Sequence, residues 1–580
     1  MTNRVPWRFL APIVVVAAAI VPLTSASAGS TSALTRVSQD RLIDSIGYHQ
    51  MEVQPALASA VGSKTLVSTF EVGRAYNGGA SAIGWATSLF GSKGWDHGLL
   101  PATVASGGPS GTWRGADPSV AYDARFSKWI AVYTGLGSTA NTLGLFADTS
   151  TDGETWSAPI TVHAAATGDT PSKSWIACDN HAASAGYGTC YVAYTNTAST
   201  PANQLFFVRS TDGGATWSAP VGTADASVGT GAIPLVQPPP PSSPNTCGRL
   251  VVSYANGTTL DDFTSSDCGA TASARAVITS TQAVQHTVAQ GLRVSLLPSV
   301  SMDGAGAIYL AYQTRSFRIT QTTLAAAANA GDTNVKVSSV TGMVAGGTLT
   351  IDPTGSNPET VTITTVGTAG SGGTGITFSP ALGFAHALGA FVNVNGVPST
   401  SSAAPNDIAL AVMPAPTDAT PAPSFGAPAR VAIEADAGAA SNTVDHFIPA
   451  IAADANTPGH LGLFYYFYPL AACQFVQDLG SSQNCKPSFG YVSSTNGGGS
   501  WSSPQTLATM DGLAVLPRTG PIGTTGNGNP DLGLYTSATV IPAGPFAGNA
   551  ISVFAYGATV DGFDVSMYVP THGLTVGGGS

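Results

Sequence analysis

Short apolar runs ending on an aromatic residue recur along the whole chain: Thr65 to Phe70, Ile130 to Tyr133, Cys190 to Tyr194, Leu250 to Tyr254, Ile308 to Tyr312, Leu461 to Tyr465 and Ser552 to Tyr556. Their alternation and the turn residues that bound them predict strands. The first five aromatic ends are 63, 61, 60 and 58 residues apart, a period that suits one four-stranded unit with its loops. A second pattern reads Pro, any, aliphatic, Ala or Ser, any, Asp. It runs from Pro118 to Asp123, Pro298 to Asp303 and Pro449 to Asp454, and Ser174 to Asp179 repeats it without the proline. It predicts the innermost strand of each unit.

A third pattern is a turn, clearest at Ser210-Thr211-Asp212-Gly213-Gly214-Ala215-Thr216-Trp217. Its carboxylate can accept backbone N–H groups within the turn, its glycines accept positive φ, and its tryptophan can fill the space between strands. Further copies run from Ser494 to Trp501, with Asn496 for the aspartate, and from Ser150 to Trp156, one residue shorter. Eroded versions lie at Ser88 to Trp95 and Ser265 to Ala272. This turn resembles the Asp box, SxDxGxxW, of the sialidase superfamily. The resemblance covers nearly the whole chain and implies an all-β β-propeller. Six repeats are complete. A seventh, after about Asp531, offers Leu534 to Val540, Ile551 to Tyr556 and Phe563 to Val569. Its fourth strand is expected from residues near the N-terminus, which would close the ring and remove its open edges. Seven blades are expected, with six the alternative. The period breaks between Tyr312 and Ile408, where residues 322–397 read as an inserted small β module through Val335 to Val337, Thr348 to Ile351 and Thr360 to Thr364. The propeller is then residues 29–321 and 398–575.

Residues 1–28 carry Arg4 and Arg8, an apolar run from Ala11 to Val21 and the small-residue site Ala26-Ser27-Ala28, the pattern of a signal peptide. No later stretch reaches the roughly 20 apolar residues of a membrane-spanning helix, so an extracellular, soluble, monomeric protein is expected. In that setting Cys178 with Cys190, Cys247 with Cys268, and Cys473 with Cys485 are expected to pair locally, one of 15 possible connectivities. Charged residues make up 9% of the chain, and its formal charge of -11 gives nucleic acid no electrostatic reason to bind. A chain with 68 glycines and 39 prolines suits many short strands and turns.

In a propeller, the loops that enter strand 1 and those that join strands 2 and 3 share one face. On that face the sequence places Glu52, Glu71, Arg74, Tyr76, Trp113, Arg114, Asp117, Lys173, Arg315, Arg318, Asp445, His446, Arg518, Asp531 and Tyr535. Sialidases use a tyrosine nucleophile because an anionic substrate repels a carboxylate, and arginines grip the substrate carboxylate. The resemblance implies a glycosyl hydrolase of exo-sialidase type, retaining if active, and placement on that face offers Tyr535 or Tyr76 as nucleophile, Glu52 or Glu71 as its base and Asp117 as acid, with Arg74, Arg114, Arg518 and His446 binding a glycan or glycoconjugate. The family's Arg-Ile-Pro motif is replaced at the first repeat by Glu52-Val53-Gln54-Pro55, so no first triad arginine is assigned. No DxDxDG run or His/Cys cluster suggests a metal. Neither metal nor cofactor is expected. The alternative is a non-catalytic propeller that binds glycan or protein on the same face.

Overall fold

The computed structural model describes residues 33–577 apart from 43–47, 61, 76, 102–113, 138, 281–291, 295, 316–318, 354, 399–404, 434–443, 470–472, 474–484, 514–515, 517–529 and 558–564. The expected signal peptide, Tyr76, Trp113, Arg318 and Arg518 lie outside the described residues. Every regular element among the described residues is a strand. No described helix is long and apolar enough to cross a membrane.

The strands fall into antiparallel sets of four. The first comprises Tyr48–Ser59, Leu66–Arg74, Ala80–Ser88 and Asp96–Leu99, and the second Arg114–Asp123, Lys128–Leu136, Thr142–Ser150 and Ile160–Ala164. The third begins with Pro171–Cys178, the fourth with Thr230–Gln237, the fifth with Ser299–Met302 and the sixth with Val444–Ala453. The last set begins with Ser537–Val540, continues through Asn549–Gly557 and Val565–Pro570, and takes its fourth strand from Leu34–Arg36, which pairs antiparallel with Val565–Pro570. Single pairings of Met51 with Val565 and Ala80 with Gly115 link this set to the first and second in one 13-stranded sheet.

The aromatic-ended runs are the second strands, buried on both faces. Trp129, Tyr133, Tyr194, Tyr254 and Tyr465 are each almost fully covered. Neighbouring sets share hydrophobic cores: Ile130, Val132 and Val192 between the second and third, Tyr191, Phe207 and Val252 between the third and fourth, Leu463, Tyr309 and Leu410 between the fifth and sixth. The largest core joins the sixth, seventh and first sets through Phe464, Phe489, Phe554 and Phe70. The first strands of all the sets line one central cavity of about 300 Å³. The recurrent aspartates that end these strands cap the following turns: Asp123 accepts the N–H of Arg125, Asp303 those of Ala305 and Ala307, and Asp454 that of Asn456.

Four turns share one hydrogen-bond pattern. In the best copy, Asp212 Oδ1 accepts the Ser210 hydroxyl (2.8 Å) and the Thr216 N–H (2.9 Å), while Trp217 Nε1 donates to Gly214 O (3.2 Å). Asp152, Asn496 and Asp267 repeat the carboxylate's or amide's role. The copy at Ser265 to Ala272, eroded in sequence, keeps these bonds and lacks only the tryptophan. Disulfides join Cys178 to Cys190, Cys247 to Cys268 and Cys473 to Cys485. The first ties residues directly opposite each other on neighbouring strands, and disulfides of this kind suit an oxidising compartment.

Residues Ile319–Thr323 to Phe391–Pro398 form a separate six-stranded sheet with its own core of Leu324, Val337, Leu349, Ile351, Ile363 and Val392. It leaves the fifth set between Ile308–Thr314 and Asp407–Met413, which pair with each other, so the insertion leaves that set's ladder intact.

Candidate active site

A pocket of about 180 Å³ is walled by Gln54, Glu71, Arg74, Asp117, Thr134, Ser172, Lys173, Arg293 and Leu534. Its backbone frame is a repeated bulge. The first strands slip register between Val53 and Ala56, Ala116 and Ser119, Ser172 and Trp175, Thr230 and Ile233, and Phe447 and Ala450. At each slip one residue is left-handed: Gln54 (φ 57), Asp117 (φ 49), Lys173 (φ 53), Gly231 (φ 66) and Ile448 (φ 45). That conformation costs a non-glycine residue about 1–2 kcal/mol, and a bulge re-aims the side chain it carries. Three consecutive sets thereby bring Gln54, Asp117 and Lys173 to one pocket.

Charges of both signs interleave there. Glu71, 1% exposed, accepts the Asp117 N–H at Oε1 (3.2 Å), and its Oε2 lies 3.4 Å from Arg74 Nε. Arg74 also faces Asp531 Oδ2 (3.6 Å) and donates through Nη1 to the carbonyls of Ala75 and Gly79. Arg293 meets the same Asp531 oxygen at 2.9 Å. Asp117 Oδ2 accepts the Lys173 N–H (3.1 Å), and Lys173 Nζ stands 3.5 Å from Oδ1. Burial pushes the Glu71 carboxyl up to about 7 against the pull of Arg74. Gln54 Oε1 and Thr134 Oγ1 are buried in the pocket wall with no hydrogen-bond partner among the described residues. A buried polar atom left so costs about 1–3 kcal/mol.

Beneath the pocket, the Trp175 and Tyr535 rings meet edge-on at 4.7 Å and, with Leu297 and Leu534, form an apolar plug over the central cavity. Tyr535 lines that cavity rather than the pocket. Its hydroxyl donates to Pro118 O (3.2 Å), and burial, then the Asp117 and Glu71 charges, holds the phenol well above its ordinary value. This expected nucleophile is therefore engaged elsewhere.

Glu52 and His446 also stand apart. Glu52 is buried beside Leu34–Arg36, accepting the Ser38 hydroxyl and the Met567 N–H, and burial pushes its carboxyl up to about 7. His446 stacks on Phe467 and meets Tyr465 edge-on in the sixth set. Arg114 borders the pocket's neighbours, donating to Asn77 Oδ1 (2.5 Å). Of the expected site, Glu71, Arg74 and Asp117 come together, joined by Lys173 and Asp531. Arg293 and Gln54 were not singled out as site residues. Arg293 lies a few residues before the Pro298 repeat, in a loop that enters a first strand, and that position was the available signal.

These buried carboxyls set a pH dependence of stability. Burial raises Glu52 and Glu71 from 4.5 to about 7, Asp148 to about 8 and Asp262 to about 6. Between pH 4.5 and 7 the folded chain retains protons that the unfolded chain releases, so stability falls as pH rises. Each glutamate accounts for about 3 kcal/mol of that loss. Thermal unfolding followed by circular dichroism should give a lower Tm at pH 8 than at pH 5.5, with Glu52→Gln flattening the difference. A higher Tm at pH 8 would refute the assignment.

No family model matches the sequence, and no curated protein matches it. Similar solved structures include the Hadza microbial sialidase Hz136, 17% identical over 48% of this chain and 56% of that one, with a TM-score of 0.33. The chain thus spans about half the length of that sialidase. Others are an ulvan lyase of polysaccharide lyase family PL25 (10% identical, 92% of this chain and 95% of that one, TM-score 0.41) and a protein of unknown function from Dyadobacter fermentans (13%, 63% and 100%, TM-score 0.34).

Proposed function

We propose that the chain is an exported, carbohydrate-active enzyme, a glycoside hydrolase working at the end of a glycan. In this reading each four-stranded set is one blade of a seven-bladed, sialidase-like propeller, with residues 322–397 an accessory β module and residues 1–28 a cleaved signal peptide. The observation that carries it is Glu71, a buried carboxyl raised to about 7 whose Oε1 accepts the Asp117 N–H. Two carboxyl groups held in different environments are the working parts of most glycosidases. Glu71, protonated near neutrality, gives its proton to the leaving oxygen. Asp117, bonded by the Lys173 N–H and faced by its ammonium, acts on the anomeric carbon or on water.

A pocket of about 180 Å³ holds about six waters' volume at about 30 Å³ each, which suits a single sugar ring and an exo-acting enzyme. The tyrosine-nucleophile scheme of sialidases finds less support, because the Tyr535 hydroxyl is given to Pro118 O. A second reading, a glycan-binding propeller without turnover, is favoured by the ion pairs that already occupy Asp117 and Arg74. Release of fluorophore from a panel of 4-methylumbelliferyl glycosides, sialic acid included, separates them. Turnover abolished in both Glu71→Gln and Asp117→Asn supports the hydrolase; no turnover on any sugar by the folded native chain selects the binder.

A further inference from the structure

We infer, resting on the carbohydrate-pocket reading above, that the sugar residue taken by this pocket is neutral and hydroxyl-rich, not acidic. A site for an acidic sugar offers cations whose charge is free to meet the ligand. Here each pocket cation already lies against a carboxylate. Arg74 stands between Glu71 and Asp531, Arg293 lies on Asp531, and Lys173 on Asp117. The Arg74 guanidinium also has Nη1 committed to the carbonyls of Ala75 and Gly79.

An incoming carboxylate would therefore meet Asp117 and Asp531 as nearly as it meets the cations paired with them. In a site as dry as this one, with Glu71, Arg74 and Asp531 nearly covered, like charges at short range are costly. Of the four buried pocket atoms without a hydrogen bond among the described residues, Glu71 Oε2 and Arg74 Nε face each other at 3.4 Å, and the remaining two, Gln54 Oε1 and Thr134 Oγ1, are neutral. The Gln54 amide oxygen accepts a hydroxyl, and the Thr134 hydroxyl donates or accepts. The left-handed bulge at Gln54 (φ 57) holds that amide at the position where the next two sets place Asp117 and Lys173, so strained backbone is spent on presenting a neutral group.

The test uses pairs of sugars that differ only at C6: glucose with glucuronate, and galactose with galacturonate, titrated into the native full chain at low ionic strength and followed by ligand-observed NMR. The neutral member of at least one pair is expected to bind about tenfold tighter than its acid, a difference of about 1.4 kcal/mol. Asp531→Asn, which releases Arg74 and Arg293 from their shared anion, is expected to strengthen uronate binding about tenfold. If that variant does not fold, Asp117→Asn makes the same test through Lys173. Uronate binding equal to or tighter than the neutral sugar's in the native chain, or no binding by any of the four, overturns the inference. Neutral-sugar binding without turnover of any fluorogenic glycoside would overturn the hydrolase reading and leave this one standing.

Discussion

Replacing Glu71 with glutamine is expected to lower kcat by about 10²- to 10⁴-fold, the contribution of a positioned general acid, on whichever glycoside the native chain turns over. The amide keeps an oxygen to accept the Asp117 N–H, and Arg74 keeps Asp531 as its counter-ion, so the pocket's geometry should survive. The substitution also removes a carboxyl that burial disfavours in its ionised form. Stability at pH 8 should therefore stay level or rise while activity collapses. In the native chain, activity should decline as pH climbs through about 7, where Glu71 loses its proton, and the residual activity of the variant should lack that decline. Matched pH profiles of kcat for the two proteins, with Tm measured alongside, decide the matter. A parallel fall in Tm and kcat would make Glu71 a structural residue only.

Removing Leu34 to Ser38 is the second large expected effect. This segment supplies the outer strand of the last set, pairing Leu34 with Pro570, Thr35 with Val569 and Arg36 with Tyr568. It also brings Val37 into the core at 1% exposure, and its Ser38 holds both Glu52 and the Met567 N–H. Burial of a valine contributes about 1.5–3 kcal/mol, and each hydrogen bond about 0.5–1.5 kcal/mol. Together with the loss of the Glu52 partner, the deletion should cost about 5 kcal/mol or more. It also uncovers Val565–Pro570 as an open sheet edge, which invites association. Denaturant unfolding and light scattering on the shortened chain should show a lower midpoint and oligomers. A monomer of native stability would show that the strand is dispensable.

Much of the architecture was legible because its signals are local and repeated. An apolar run ending on an aromatic needs only neighbouring strands to become a second strand, and the S-x-D-x-G turn carries its own hydrogen bonds. Even the eroded copy around Asp267 folds in the same way, because the aspartate, and not the tryptophan, holds the turn. The site was harder to read. Glu71, Arg74 and Asp117 could be placed on one face from strand phase alone, but phase does not reveal a bulge. The left-handed residues that turn Gln54, Asp117 and Lys173 together leave no residue-type signature beyond the proline that follows Gln54 and Asp117. Tyr535 was assigned by face and not by direction. Its ring is drawn down onto Trp175 by the apolar plug, a contact between residues 360 positions apart that periodicity does not encode. Arg293 reaches Asp531 across 238 positions for the same reason.

The borrowed strand also sets an order in time. Thr35 and Thr571, whose hydroxyls meet at 2.8 Å, are 536 residues apart, so the contact between the first strand and the last set is among the most distant in the chain. Ordering so long an intervening segment has to precede the reward of the contact. During synthesis the earlier sets can form as their strands appear, while Leu34–Arg36 waits unpaired for a partner strand, Val565–Pro570, that emerges long after it. Pairing of Leu34–Arg36 with Val565–Pro570 is then a late event, and the last set is incomplete until it happens. Any cleavage or truncation that removes either end should leave a nearly complete chain that is folded in parts and never locked.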